Sequence, residues 1–384
     1  MKLIQDKNIA IIGGGPGGLT LARILQMNGA DVKVYERDEN KDVRVQGATL
    51  DLHDESGLRA LREAGLMDEF KANYRPGADH LRIMDKRANI VYEDNFETGA
   101  DDALARPEID RGPLRKILLD SLKPDTVVWN SNFVSLTRQN NSFKIDFKNG
   151  AEAFADIVIA ADGANSKVRP YLTDIKPFYA GVSVIEGSVY DSEINCPNIH
   201  KLLHGGKIFA LGDGKTLIVS SKGDGSLVFY FSFKSTENYL KESGLDFTDK
   251  FQIMGWFNEE FSGWDEIWNE LFENANPQFI PRPQYCMPLD QQWETQPDVT
   301  LLGDAAHLMP PFAGEGVNMA MLDAVELAEC WLSDDFADAH EAMAAYETGM
   351  LRRASETAKI TLEQTESLHS EDAIANTLQL FRQA

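Results

Sequence analysis

The chain has 384 residues, 43% hydrophobic and 26% charged, which suggests two or three soluble domains without a low-complexity tract. Its 37 Lys and Arg face 61 Asp and Glu, and the resulting net charge of −24 repels nucleic acid and anionic membranes, excluding both as partners. No apolar run approaches the roughly 18–20 residues of a membrane span, the N-terminus does not read as a secretory signal, and Cys196, Cys286 and Cys330 form no metal or disulfide pattern, so a reduced cytoplasmic protein without a metal is expected.

Residues 9–37 read IAIIGGGPGGLTLARILQMNGADVKVYER. Ile9–Ile12 is a short apolar run, as in a strand buried on both faces. Gly13, Gly15 and Gly18 then give GxGxxG: the first permits a tight turn, the second lets a pyrophosphate reach the backbone, and the third lets the helix pack on the strand. Leu19, Ala22, Ile24 and Leu25 share one helix face, and Gly29 suits its C-terminal end. A second strand, Asp31 to Tyr35, ends at Glu36, an acceptor placed for a ribose diol. Glu36 also disfavours a 2′-phosphate, so the adenosine belongs to NAD or FAD.

Two later stretches choose between them. Residues 156–169, DIVIAADGANSKVR, are a buried strand ending at Asp162-Gly163, which taken alone is also an ordinary turn dipeptide. Residues 299–318, VTLLGDAAHLMPPFAGEGVN, are a strand with Gly303-Asp304 at its carboxyl end, where ligands bind in open α/β sheets. Pro310 and Pro311 stop regular structure, and Gly314-Glu315-Gly316 opens a helix whose N-terminus is a second anion site. A flavin uses such a site, because reduction leaves negative charge at one edge of its ring.

GxGxxG, then DG, then GDAAH…P…GxGxN resembles the class A flavoprotein monooxygenases of the para-hydroxybenzoate hydroxylase fold. The stretches VYERD (34–38), GATLDLH (47–53), PEIDRGPLRKILLDSL (107–122), SKVR (166–169), EINCP (193–197) and GDAAHLMPPFAGEGVN (303–318) resemble the TetX-type tetracycline-inactivating members most. The resemblance implies that Glu36 binds the adenosine ribose, with Arg37 along the adenine. Arg111 and Asp304 would hold the ribityl–pyrophosphate region; from the residues alone, Arg111 could be an exposed arginine at a helix start. Pro311, Gly314, Gly316, Val317 and Asn318 would cradle the flavin, with Arg44 and Gly47 beside its ring. Asp162 and Gly163 would link FAD and NADPH binding, and NADPH would bind transiently, without its own Rossmann domain. His307 reads as structural.

The fold expected is α/β: a Rossmann-like FAD-binding domain with an interleaved sheet-rich substrate domain and a C-terminal bridging helix. The FAD-binding domain is assigned to 1–75, 100–176 and 290–345, the substrate domain to 76–99 and 177–289, and the helix to 346–384. Strand patterns at 182–190, 207–214, 215–225 and 226–233 support the middle assignment. Trp264 and Trp268 are spaced for one helix face and read as core.

The family chemistry is reduction of FAD by NADPH, capture of O2 as a C4a-hydroperoxyflavin, and oxygen transfer to a phenol or enol. It needs no protein nucleophile or metal, and no acid–base pair is nominated. Alignment with the TetX type places Glu186, Lys207, Val228, Pro311, Phe312 and Gly314 at the substrate. The pattern at the first three is Gln, Arg and His: Lys loses the bidentate fork, Glu repels an enolate, and Val cannot hydrogen-bond. A tetracycline is the expected substrate, with another fused phenolic polyketide or small aromatic as the alternative. A flavin-dependent reductase and a non-enzymatic flavin protein remain open, whereas the WxWxIP segment of flavin halogenases is absent. A cytoplasmic monomer is expected.

Overall fold

Four of the apolar runs become neighbours in one parallel sheet. The computed structural model describes residues 3–43, 47–93 and 107–383. Among these, the first sheet runs in the order Val299–Leu301, Ile157–Ala160, Asn8–Ile12, Asp31–Tyr35 and Val127–Val128, and every adjacent pair is parallel. The central strands are apolar without alternation because both faces are covered, by helix Pro16–Met27 and by the meander of residues 133–155; Ile9 to Ile12 are at most 2% exposed. A parallel sheet brings all its carboxyl ends to one edge. Gly13, Glu36, Ala161-Asp162 and Gly303-Asp304 therefore meet there, stitched by Gly13 N–H to Tyr35 O (2.9 Å) and Ala161 N–H to Ile12 O (2.8 Å).

A seven-stranded sheet lies beside it, in the order Ile280–Cys286, Phe178–Val189, Leu227–Lys234, Lys215–Ser221, Lys207–Gly212, Leu81–Asp85 and Ile90–Glu93. Its pairs are antiparallel except Lys207–Gly212 with Leu81–Asp85. Side chains alternate across a strand. Phe229, Phe231 and Phe233 thus enter an aromatic core with Phe257, Phe261, Phe272 and Phe279, while Val228, Tyr230 and Ser232 face the other way. Pro281 and Pro283 sit on the edge strand, where they block further pairing. Trp264 and Trp268 are both in the aromatic core, but not on one helix. Asp265 accepts from Ile267 N–H at 2.9 Å and starts a new turn between them, which corrects the single-helix reading.

A two-stranded ribbon, Thr49–Asp51 against Glu108–Asp110, joins the two sheets, and residues 133–155 add a three-stranded meander. The C-terminal segment is two helices, Ala339–Leu368 and Ala373–Gln383, rather than the one expected over 346–384. Asp338 caps the first helix from Glu341 N–H at 3.0 Å. The helix stops at His369, whose ring holds Thr365 O at 2.7 Å and Ser232 Oγ at 2.8 Å and so ties the helix end to the sheet. Among the described residues, no helix is long and apolar enough to cross a membrane.

Candidate flavin and substrate site

The glycines of the opening loop divide by what surrounds them. A Cβ at Gly13 (φ +113°) would lie 2.2 Å from Ala161 O, and one at Gly18 would lie 2.3 Å from Gly13 O. These two are required by the chain's own packing. A Cβ at Gly15 would meet nothing within 4 Å. Gly15 precedes the helix Pro16–Met27, so the free N–H groups of that helix face the same open space. Glu36 is 4% exposed; its Oε2 accepts from Gly14 N–H at 2.6 Å and its Oε1 from Asp38 N–H at 3.0 Å. Arg37 is exposed beside it. Arg44 lies outside the described residues.

Asp304 opens a short helical turn after the strand Val299–Leu301. Its carboxylate accepts no hydrogen bond among the described residues; burial pushes its pKa up, against the pull of His307, Arg111 and Arg169. The turn is clamped from behind by Arg169, which donates to Ala305 O (2.6 Å) and Asp304 O (2.8 Å). Burial holds the Arg169 pKa down. Asp162 accepts from Lys167 N–H at 2.8 Å through Oδ2, while Oδ1 is buried without a partner, and burial raises its pKa. Gly163 has φ +81° and open space above it. A ribityl chain offers the hydroxyl donors that these two carboxylates lack.

The third motif forms the tight turn Pro311–Ala313, Gly314 (φ +74°) and the helix Gly316–Leu332. A Cβ at Gly316 would meet nothing within 4 Å. Helix geometry leaves the N–H groups of Gly316, Val317 and Asn318 without intrahelical partners, beside that open space. The Asn318 side chain is fully engaged: Oδ1 accepts from His53 N–H (3.0 Å) and Gly57 N–H (3.2 Å), and Nδ2 donates to Asp51 O (2.9 Å). Only its backbone is left for a cofactor. Phe312 packs against Leu81, Ile83 and Leu211 and meets the His369 ring at 5.1 Å, anchoring the loop to the second sheet. Gly47 (φ +120°) would place a Cβ 2.5 Å from Arg111 Nε, and Arg111, at the start of the helix Arg111–Asp120, bears on both Asp304 and Tyr230.

Glu186, Lys207 and Val228 share one face of the second sheet, through the register Lys207–Ser220–Val228 and the Glu186–Tyr230 pair. Neither charge is free. Lys207 bonds the buried Glu108, and Glu186 Oε2 accepts from Arg282 Nε at 2.7 Å. Val228 is buried. Sequence reasoning missed Tyr230, Arg282, Arg169 and His369, whose places follow from register and long-range packing. Among the described residues, no group of three or more His, Cys, Asp or Glu could hold a metal ion.

A cradle at Gly15, unpartnered carboxylate oxygens at one sheet edge and a free helix N-terminus fit a flavin dinucleotide. Residues 6–209 and 291–355 match the family model described as "FAD binding domain". The chain belongs to this family, and with it to the FAD-dependent monooxygenases. The monooxygenase asqM of Emericella nidulans is 30% identical over 376 residues, covering 85% of this chain and 84% of that protein. An FAD-dependent urate hydroxylase of Mycolicibacterium vanbaalenii is 26% identical, covering 95% and 89%. Among solved structures, Klebsiella pneumoniae HpxO complexed with FAD and uric acid superposes with a TM-score of 0.76 at 23% identity, over 98% of this chain and 92% of that one. The tetracycline destructase Tet(51) gives 0.74 at 21%, over 100% and 96%. These two likenesses are of fold.

Proposed function

We propose that the chain hydroxylates a phenol or enol of a fused-ring compound, with tetracyclines as the first such compounds to try, using FAD, NADPH and O2 as a cytoplasmic monomer. The observation that carries this reading is one convergence. The open cradle at Gly15, the Asp304 carboxylate and the N-terminus of the helix Gly316–Leu332 lie at one edge, and the second sheet turns a mixed polar face toward them.

Bound FAD supplies electron transfer and oxygen activation. The chain does the rest. Glu36 takes the adenosine ribose, and Asp304 and Arg111 take the ribityl–pyrophosphate region. The N–H groups of Gly316, Val317 and Asn318 would face the flavin ring and favour negative charge there. Phe312 and the sheet face keep water from the reacting carbon. Asp162 and Gly163 join the flavin side to transient NADPH binding. The pairing of Glu186 with Arg282 removes the objection that a bare carboxylate repels an enolate.

The test is NADPH oxidation by the FAD-loaded protein, with and without tetracycline and a panel of bicyclic phenols and enols. A rate that rises with one of them, and is lower with NADH, supports the reading. A rate indifferent to every compound contradicts it.

A further inference from the structure

Two side chains on the sheet face opposite the aromatic core are oriented by the protein yet have unused donors. Tyr230 is the cross-strand partner of Glu186, and the Ala48 backbone and the charge of Arg111 both bear on its hydroxyl. Among the described residues, none receives the phenolic proton, which is left to be given elsewhere. Arg282 stands opposite Val184 on the adjacent edge strand, two residues from the Glu186 position and on the same face. Glu186 is 6% exposed and fixes Arg282 through Nε alone. The two terminal amino groups of Arg282 donate to no described residue, and the side chain is 49% exposed.

Burial of the ring and the nearby Glu186 keep Tyr230 protonated, while the charges of Arg111 and Arg282 pull the other way. In a chain of net charge −24, this face thus brings two guanidinium charges to bear on one phenol donor. A planar fork with free N–H groups beside a neutral donor matches an ionised oxygen flanked by a carbonyl, the pattern of a deprotonated 1,3-dicarbonyl enol.

Resting on the proposed function, we propose that Arg282 and Tyr230 are the substrate-reading residues, that they select an acidic enol in its ionised form, and that Glu186 is a positioning residue for Arg282 rather than a substrate ligand. The probe is 4-hydroxycoumarin, a bicyclic acidic enol, against 4-methoxycoumarin, which cannot ionise. Both are titrated into the FAD-loaded protein, and binding is followed by flavin absorbance and calorimetry.

The enol should bind the parent more tightly than the ether. Arg282→Gln should weaken enol binding about 10- to 100-fold, and Tyr230→Phe about 5-fold, with FAD content unchanged and ether binding unmoved. Glu186→Ala should weaken the enol as Arg282→Gln does, and Glu186→Gln, which keeps an acceptor for Nε, should restore most of it. Equal binding of enol and ether, an Arg282→Gln protein that binds the enol like the parent, or a parent that binds neither probe overturns the inference. FAD retention and NADPH oxidation are read separately, so loss of either speaks against the proposed function and not against the role of Arg282.

Discussion

Asp323 Oδ2 lies 2.6 Å from His307 Nε2, and both side chains are buried. The same oxygen accepts Gly303 N–H at 2.8 Å, and Oδ1 takes Arg353 at 2.6 Å. One carboxylate so ties the turn that carries Asp304 to two helices. Burial would raise the pKa of Asp323 and lower that of His307; their attraction prevails, holding Asp323 low and His307 high. Asp323→Asn takes the counter-charge from the buried His307 and leaves Arg353 with Glu326 alone, and should cost about 3–5 kcal/mol. Thermal unfolding and FAD content should fall together; a variant that melts like the parent refutes the arrangement.

The two kinds of glycine predict opposite outcomes. Gly13→Ala forces a side chain into φ +113° and onto Ala161 O, and should destabilise the apoprotein by roughly 2–4 kcal/mol. Gly15 has φ −79° and open space, so Gly15→Ala should leave apoprotein stability within about 1 kcal/mol yet reduce FAD binding at least tenfold. Urea unfolding and flavin titration of the two variants separate them. Equal stability, or an unimpaired Gly15→Ala, would remove the pyrophosphate from that space.

His53 sits between Asp51 Oδ2 (3.2 Å) and Glu315 Oε1 (3.5 Å), beside the flavin loop. Hydrogen bonds to these two carboxylates raise its pKa to about 9, outweighing burial, which would lower it. The folded value exceeds the unfolded one, so its stabilisation is complete below about pH 6.5 and is lost as pH rises through 9. It amounts to on the order of 1–2 kcal/mol after solvent screening. The gap in urea midpoint between the parent and His53→Gln should therefore shrink from pH 6 to pH 9.5. A constant gap contradicts the ion pairs.

Lys207 was expected at the substrate, yet its ammonium bonds Glu108, which is 3% exposed and whose pKa burial raises. Lys207→Met strands that carboxyl and should cost about 2–4 kcal/mol, the loss growing as pH rises above the ordinary glutamate range. Adding Glu108→Gln should recover most of the loss. A double-mutant cycle in urea checks this; additive effects would free Lys207 for a ligand.

The parts legible in the sequence are those set by local geometry. Gly13, Gly18 and Glu36 lie within one strand–helix–strand unit, and Asp304 follows a buried strand, so spacing alone locates them. Asn318 is visible as a motif letter, but its partners His53, Gly57 and Asp51 are more than 260 residues away, and no spacing names them. Tyr230 and Arg282 depend on the register of three strands; a shift of one residue would turn Tyr230 into the aromatic core and Phe229 to the cavity. His369 breaks the C-terminal helix through Ser232, a partner 137 residues away.

The most direct test of the central claim is the fate of molecular oxygen. The FAD-loaded protein, NADPH and ¹⁸O₂ are incubated with tetracycline and the phenol–enol panel, and products are weighed by mass spectrometry. One ¹⁸O atom in a substrate that also stimulates NADPH consumption is the result predicted. NADPH consumed with no label entering any of the compounds would contradict hydroxylation of a fused phenol or enol.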